Sequence, residues 1–287
     1  MTVSSTRTGR RAAAALLLPI LLSGCSIAKL MYAQSDWLLL RKLDAYLNLT
    51  PEQKTAASLR LKSRLESHRK EELPGYLSYL RRTRALVEDG VDSAEAEFII
   101  RRGRALTTVS VERTLPAIAQ TLSGISPAQI QHLEQHFEKK NRRFRKNYLQ
   151  ASERERFLRS VQRTTRRIEH WTGTLSENQK QRLTELRAAF PRSGDAWLDY
   201  NKAKQRRLLA LLREDADAET LLQFLNGWWI KLEGRTPSLR QSNDESFDAL
   251  KNLVVGVDAS LDNAQRRFLL RRLDSYIRQI EELIALS

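Results

Sequence analysis

From residue 35 onward the apolar residues recur at three- and four-residue spacing, the mark of amphipathic helices. The last run is the clearest: Leu269, Leu270, Leu273, Tyr276, Ile277, Ile280, Leu283 and Ile284 follow a start at Asp262. No segment sustains period-two alternation with β-branched residues, so no sheet is expected. Capping signals divide the chain. Thr50-Pro51-Glu52-Gln53 opens a helix, and Pro74-Gly75 predicts a break or kink in it. Asp92, Ser126, Ser152, Ser176 and Asp262 open others, and Leu115-Pro116 ends or kinks one. Three more are expected over roughly 195–213, 218–233 and 239–257. The helix from Ser35 carries Trp37, Leu38, Leu39, Leu40, Leu43, Tyr46 and Leu47, dense enough to predict burial on more than one side. The pattern predicts an all-α fold, an irregular bundle of about ten helices.

The first 24 residues follow a different pattern. Arg7, Arg10 and Arg11 precede an apolar run over 12–22, and Ser23-Gly24 place small residues before Cys25. Charge, apolar run and small residues in that order are a secretory signal, and the run is too short to span a bilayer. Leu22-Ser23-Gly24-Cys25 resembles the bacterial lipobox, in which the cysteine is acylated and the signal is cut off before it. Residues 1–24 are therefore expected to be a lipoprotein signal peptide, 25–34 a tether, and 35–287 a single all-α periplasmic domain. Ser26 after the cysteine resembles the sorting pattern of outer-membrane lipoproteins. Cys25 is the only cysteine, so no internal disulfide can form, and acylation would consume its thiol.

Composition fits a folded helical protein: 41% hydrophobic, 29% charged, only 11 glycines and 7 prolines in 287 residues. The formal charge of +15, less the three arginines of the signal, leaves +12. Lys139, Lys140, Arg142, Arg143, Arg145, Lys146, Arg159, Arg163, Arg166 and Arg167 concentrate that charge and form a candidate anionic-partner surface. In an exported protein this argues for anionic lipid, lipopolysaccharide or unfolded polypeptide as partner and against nucleic acid. A solvated helical face that serves solubility is the plainer reading.

Four times an aliphatic residue, a cap and a glutamine recur together: Leu49-Thr50-x-x-Gln53, Ile125-Ser126-x-x-Gln129, Leu175-Ser176-x-x-Gln179 and Leu261-Asp262-x-x-Gln265. Their spacings of 76, 50 and 86 residues exclude a regular solenoid. As helix caps they need no further role. With the glutamine in every copy they also resemble the Leu-Thr-x-x-Gln motif of Spy- and CpxP-like periplasmic proteins, which implies chaperone-like or envelope-stress behaviour. Residues 38–47 and 268–277 echo one another in six of ten positions, by convergence or duplication; either way they predict two Leu/Tyr stripes sharing a core.

The lipobox, Trp37-Leu38-Leu39-Leu40, Leu43-Asp44-x-Tyr46, the Thr50 start and His68-Arg69-x-Glu71-Glu72-Leu73-Pro74 together resemble a family of Gram-negative helical lipoproteins with a domain of unknown function. The resemblance implies fold and location, and no activity.

Catalytic patterns are missing from the sequence: no phosphate loop, nucleophile elbow or zincin motif occurs. His132 and His136 have i,i+4 spacing but lack a third ligand, so no metal and no cofactor is expected. Trp228-Trp229 cannot face one side of a helix together, so one is expected to be exposed or to sit in a groove; core packing at a helix crossing is the plainer explanation, and a ligand or peptide groove is the alternative. The expectation is a non-enzymatic lipoprotein at the periplasmic face of the outer membrane, with a binding or structural role. The alternative is an envelope-acting enzyme without a recognisable motif.

Overall fold

In the computed structural model the described residues are Tyr32 and 35–285; the signal segment, Cys25 and most of the tether lie outside them. Helices and the short turns between them make up the described residues. The helices are α1 (Ser35–Leu47), α2 (Pro51–Ser67), α3 (Leu73–Asp89), α4 (Ser93–Glu112), α5 (Leu115–Leu122), α6 (Pro127–Tyr148), α7 (Glu153–Thr172), α8 (Glu177–Ala188), α9 (Gly194–Arg213), α10 (Ala218–Leu225), α11 (Pro237–Asp258) and α12 (Asn263–Ile284). π turns at His68–Glu72 and Asn226–Ile230 extend two of them. Among the described residues no strand occurs, and ten helical rods remain when α2 is joined to α3 through the π turn and α4 to α5 across the Arg113–Thr114 turn. No described helix is long and apolar enough to cross a membrane.

The contact pattern of the first six helices repeats in the last six. α1 packs on α2 and α6, and α2 on α5; likewise α7 packs on α8 and α12, and α8 on α11. The two middle helices of each half then cross over. α3 and α4 pack on α12 and α11, while α9 and α10 pack on α6 and α5. Each core is thus built from both halves. Leu115, Leu122, Ile130 and Leu133 meet Leu208, Leu212, Leu221 and Leu225 in one. Val87, Val91 and Ala96 meet Leu273 in the other, beside a smaller cluster around Leu175, Leu183 and Leu253. Buried Asp258 fastens the crossover, accepting from the Val91 amide at 2.8 Å and from Arg266 at 3.0 Å.

Three expectations change. Of the break or kink expected at Pro74 the helix shows no break but loses its regular α geometry: Pro74 cannot donate an amide hydrogen, and the chain passes it through a π turn in which the Leu73 amide bonds the His68 carbonyl. α1 is walled on one side only, so Leu40, Leu43, Tyr46 and Leu47 pack while Trp37, Leu38 and Leu39 stay exposed. The echoing stripes do not share a core. Leu43 and Leu47 belong to the first cluster and Leu269, Leu270 and Leu273 to the second, and α1 has α7, not α12, as its counterpart. Convergence of two amphipathic helices accounts for that echo.

Candidate binding groove

The four glutamine-bearing caps join helix starts that are distant in the sequence. Thr50, Ser126, Ser176 and Asp262 each cap a helix, and Gln53, Gln129, Gln179 and Gln265 each close a capping box. The glutamines then pair. Gln129 donates to Gln53 Oε1 at 2.7 Å and Gln53 to Gln129 Oε1 at 3.2 Å. Gln53 also donates to the Gly124 carbonyl and Gln129 to that of Asn48, each just ahead of the opposite cap. Gln179 and Gln265 repeat the pattern at 2.7 and 3.0 Å, reaching the Ser260 and Thr174 carbonyls. Glutamate could close the box but has no amide hydrogens for the second set of bonds. The Asp92–Glu95 and Ser152–Glu155 boxes, which carry glutamate, are capped without such a partner.

Elsewhere α6, α7, the α8–α9 turn and α9 enclose a cleft of about 1070 Å³. Phe137, Phe144, Tyr148, Phe157, Phe190 and Trp197 line it, with Lys140, Arg156, Arg163, Arg187 and Arg192 as its five cations against Glu153 and Asp195. A second cleft of about 950 Å³ lies between α4, α11 and the π turn at Asn226–Ile230, and its lining is mixed in charge. Trp197 and Trp229 line both clefts, so the two meet across this pair. The adjacent indoles of the π turn lie 5.7 Å apart, centroid to centroid, and differ in burial. Trp228 is 6% exposed against Phe224 in the core, whereas Trp229 is 40% exposed where the clefts meet. Tyr200, edge-on to Trp197, has its hydroxyl 3.3 Å from the Trp228 carbonyl in the turn and 3.1 Å from the Glu233 carbonyl just after it, which holds the turn against α9.

Of the basic residues singled out in the sequence, Lys140 and Arg163 reach the groove. Lys139, Arg142, Arg143, Arg145 and Lys146 of α6 and Arg159, Arg166 and Arg167 of α7 are exposed and do not line either cleft. Arg187 was missed because α8 is not a basic helix. A signal was there: neither Arg187 nor Arg163 has a carboxylate three or four positions away. His132 and His136 serve the α1–α6 contact. His132 lies 3.2 Å from the Ala45 carbonyl and His136 stacks on Tyr46 at 4.0 Å; burial first, then Lys140, holds His136 below the usual histidine range. Among the described residues no group of three or more His, Cys, Asp or Glu could hold a metal ion.

One acid–base cluster lies elsewhere. Glu72, 6% exposed in the first π turn, accepts from the Ser110 hydroxyl and pairs with Arg64 at 2.7 Å, with His68 at 4.0 Å. Burial pushes its carboxyl up, but Ser110, Arg64 and His68 outweigh that and hold it below the usual glutamate range. Arg64 also donates to Thr114 and to the Ser110 carbonyl, tying α2 to α4 and α5. None of these residues lines either cleft. The cluster is a buried tie between helices.

No curated protein and no solved structure matches the chain. Residues 45–229 match a family of unknown function and reach from the end of α1 through the caps of α2, α6 and α8 to Trp229. The chain therefore belongs to the family of unknown function DUF6279.

Proposed function

We propose that this protein is a non-enzymatic lipoprotein of the cell envelope that holds extended polypeptide segments in its groove, with chaperone-like behaviour. The observation that carries the reading is the meeting of the two clefts at Trp197 and Trp229. Small-molecule sites fill roughly 300–1,000 Å³, and each cleft alone is near that limit. A ligand that runs from one to the other is a chain. Aromatic rings offer sequence-tolerant contact area, and the surplus of cations in the first cleft suits a client with acidic residues. The proposed anchor is acylated Cys25 at the periplasmic face of the outer membrane, where unfolded exported chains pass. Exposed Trp37, Leu38 and Leu39, which follow closely on Cys25 in the chain, suit a membrane-proximal position.

Aggregation of a denatured client tests the function. The protein should suppress light scattering without nucleotide, more weakly at about 0.5 M salt, where charges are screened within a few ångströms. Trp229→Ala should weaken suppression several-fold with little loss of stability, since the indole is already part-exposed. Full suppression by that variant would overturn the groove as the binding surface.

A further inference from the structure

Arg163 of α7 and Arg187 of α8 face the first cleft, both half-buried. Each lies over an aromatic ring. Arg163 Cζ is 5.0 Å from the centroid of Tyr148, and Arg187 Cζ is 4.3 Å from that of Phe190. Among the described residues neither guanidinium has a carboxylate within ion-pair distance. The two carboxylates of this cleft are engaged elsewhere: Glu153 pairs with Arg192, and Asp195 stands 3.8 Å from Arg156. Burial first, and the charge of Arg163 second, hold the Arg187 guanidinium below the usual arginine range. Two half-buried cations that repel one another lower stability, which the solvated arginines of these helices do not. A guanidinium stacked on a ring keeps its in-plane donors for a planar anion.

We infer that Arg163 and Arg187 form a carboxylate-reading subsite, which takes an Asp or Glu side chain of a bound polypeptide while apolar neighbours of that residue lie on the rings of Phe144, Tyr148, Phe157 and Phe190. The inference rests on the polypeptide reading of the groove and supplies its specificity. The second cleft argues for a peptide over a polyanionic lipid. Its carboxylates Glu97, Asp244 and Asp248 balance Arg101, Arg104 and Arg235, so it offers a further phosphate no surplus of positive charge, whereas Thr107, Asn243 and Ser246 can bond backbone amides. Aromatic rings supply most of the apolar lining of the first cleft, and Leu149 and Leu198 are its only large aliphatic side chains, too few for a tunnel that takes a long acyl chain.

Fluorescence anisotropy with two labelled peptides tests it. Both place aromatic residues on either side of one central position, which is Glu in one and Gln in the other. The wild-type protein should bind the Glu peptide about tenfold more tightly at low salt, as a charge-assisted pair predicts. Arg187→Gln and Arg163→Gln should each bring the Glu peptide down to the affinity of the Gln peptide without moving the latter. Arg182→Gln, on the exposed face of α8, should leave the tenfold difference intact. The thermal midpoint of Arg187→Gln should equal or exceed that of the wild type, because a repulsion is removed; a clear fall would show a structural arginine and overturn the subsite. Equal binding of both peptides by the wild type overturns the subsite while the groove stands. If neither peptide binds and vesicles rich in anionic phospholipid do so in an Arg187-dependent way, the polypeptide reading itself falls.

Discussion

A single glutamine shows how a local rule acquires a tertiary role. Gln129 is 5% exposed, and its side chain does three things: its oxygen caps the Ser126 amide, and its nitrogen reaches both Gln53 and the Asn48 carbonyl. Any residue of the right length with an acceptor oxygen can do the first; the other two need donors. Gln129→Glu therefore separates the roles. The capping box can persist, but a buried carboxylate would face the Gln53 oxygen and the Asn48 carbonyl. We expect a loss of about 2–3 kcal/mol in chemical denaturation. The converse change at an unpaired box, Glu155→Gln, should cost less than about 1 kcal/mol. Similar losses at the two sites would refute the clasp. The symmetric argument applies to Gln179 and Gln265, where the same four bonds recur.

At the scale of the element, the two π turns mark where a helix gives up regularity for position. At His68–Glu72 the wider turn follows from Pro74 and places Glu72 between Arg64 and Ser110. Loss of the carboxylate leaves Arg64 uncompensated, so Glu72→Gln should cost about 3–5 kcal/mol. The same segment sets the acid response. Burial first holds folded His68 below the usual 6.5, so the unfolded chain binds that proton more readily. Stability from His68 is present above about pH 6.5 and is lost as the pH falls through its lower folded value. Glu72, held below 4.5, gives stability that is present above that value and is lost in stronger acid. Denaturation midpoints followed from pH 7 to pH 3 should fall in these two stages. His68→Asn should flatten the first and Glu72→Gln the second; an unchanged first stage in the His68 variant would exclude it as the titrating group.

The whole molecule is two six-helix halves that have exchanged their middle helices. The crossover places α9 beside α6 and α7, which creates the first cleft, and sets the Asn226–Ile230 turn against α4, which creates the second. Neither cleft exists within one half. Attachment to a membrane belongs to this scale too. With a formal charge of +15, or +12 without residues 1–24, electrostatic attraction to anionic lipid could hold the chain in place without an anchor. Cys25→Ala decides between the two. It should abolish acylation and move the protein from the membrane fraction to the soluble one, and retention of the variant would sink the anchor.

Much was legible in the residues. Apolar spacing and caps located nearly every helix, because helix starts and amphipathic faces are local properties of a few adjacent side chains. The Pro74 turn was not, since proline marks where a hydrogen bond is lost but does not say whether neighbours hold the helix together. The basic stretch on α6 and α7 pointed to the right region and overstated it: two of its ten chosen residues line the groove, and Arg187 came from another helix. The sequence by itself determined the all-α class, the capped helix starts and the charge. Only the tertiary structure decided which glutamines clasp, which tryptophan stays exposed and which arginines are left without a carboxylate. Those depend on contacts between residues as much as 91 positions apart, as in the bond from Gln265 to the Thr174 carbonyl, and no local pattern encodes how two distant helices meet.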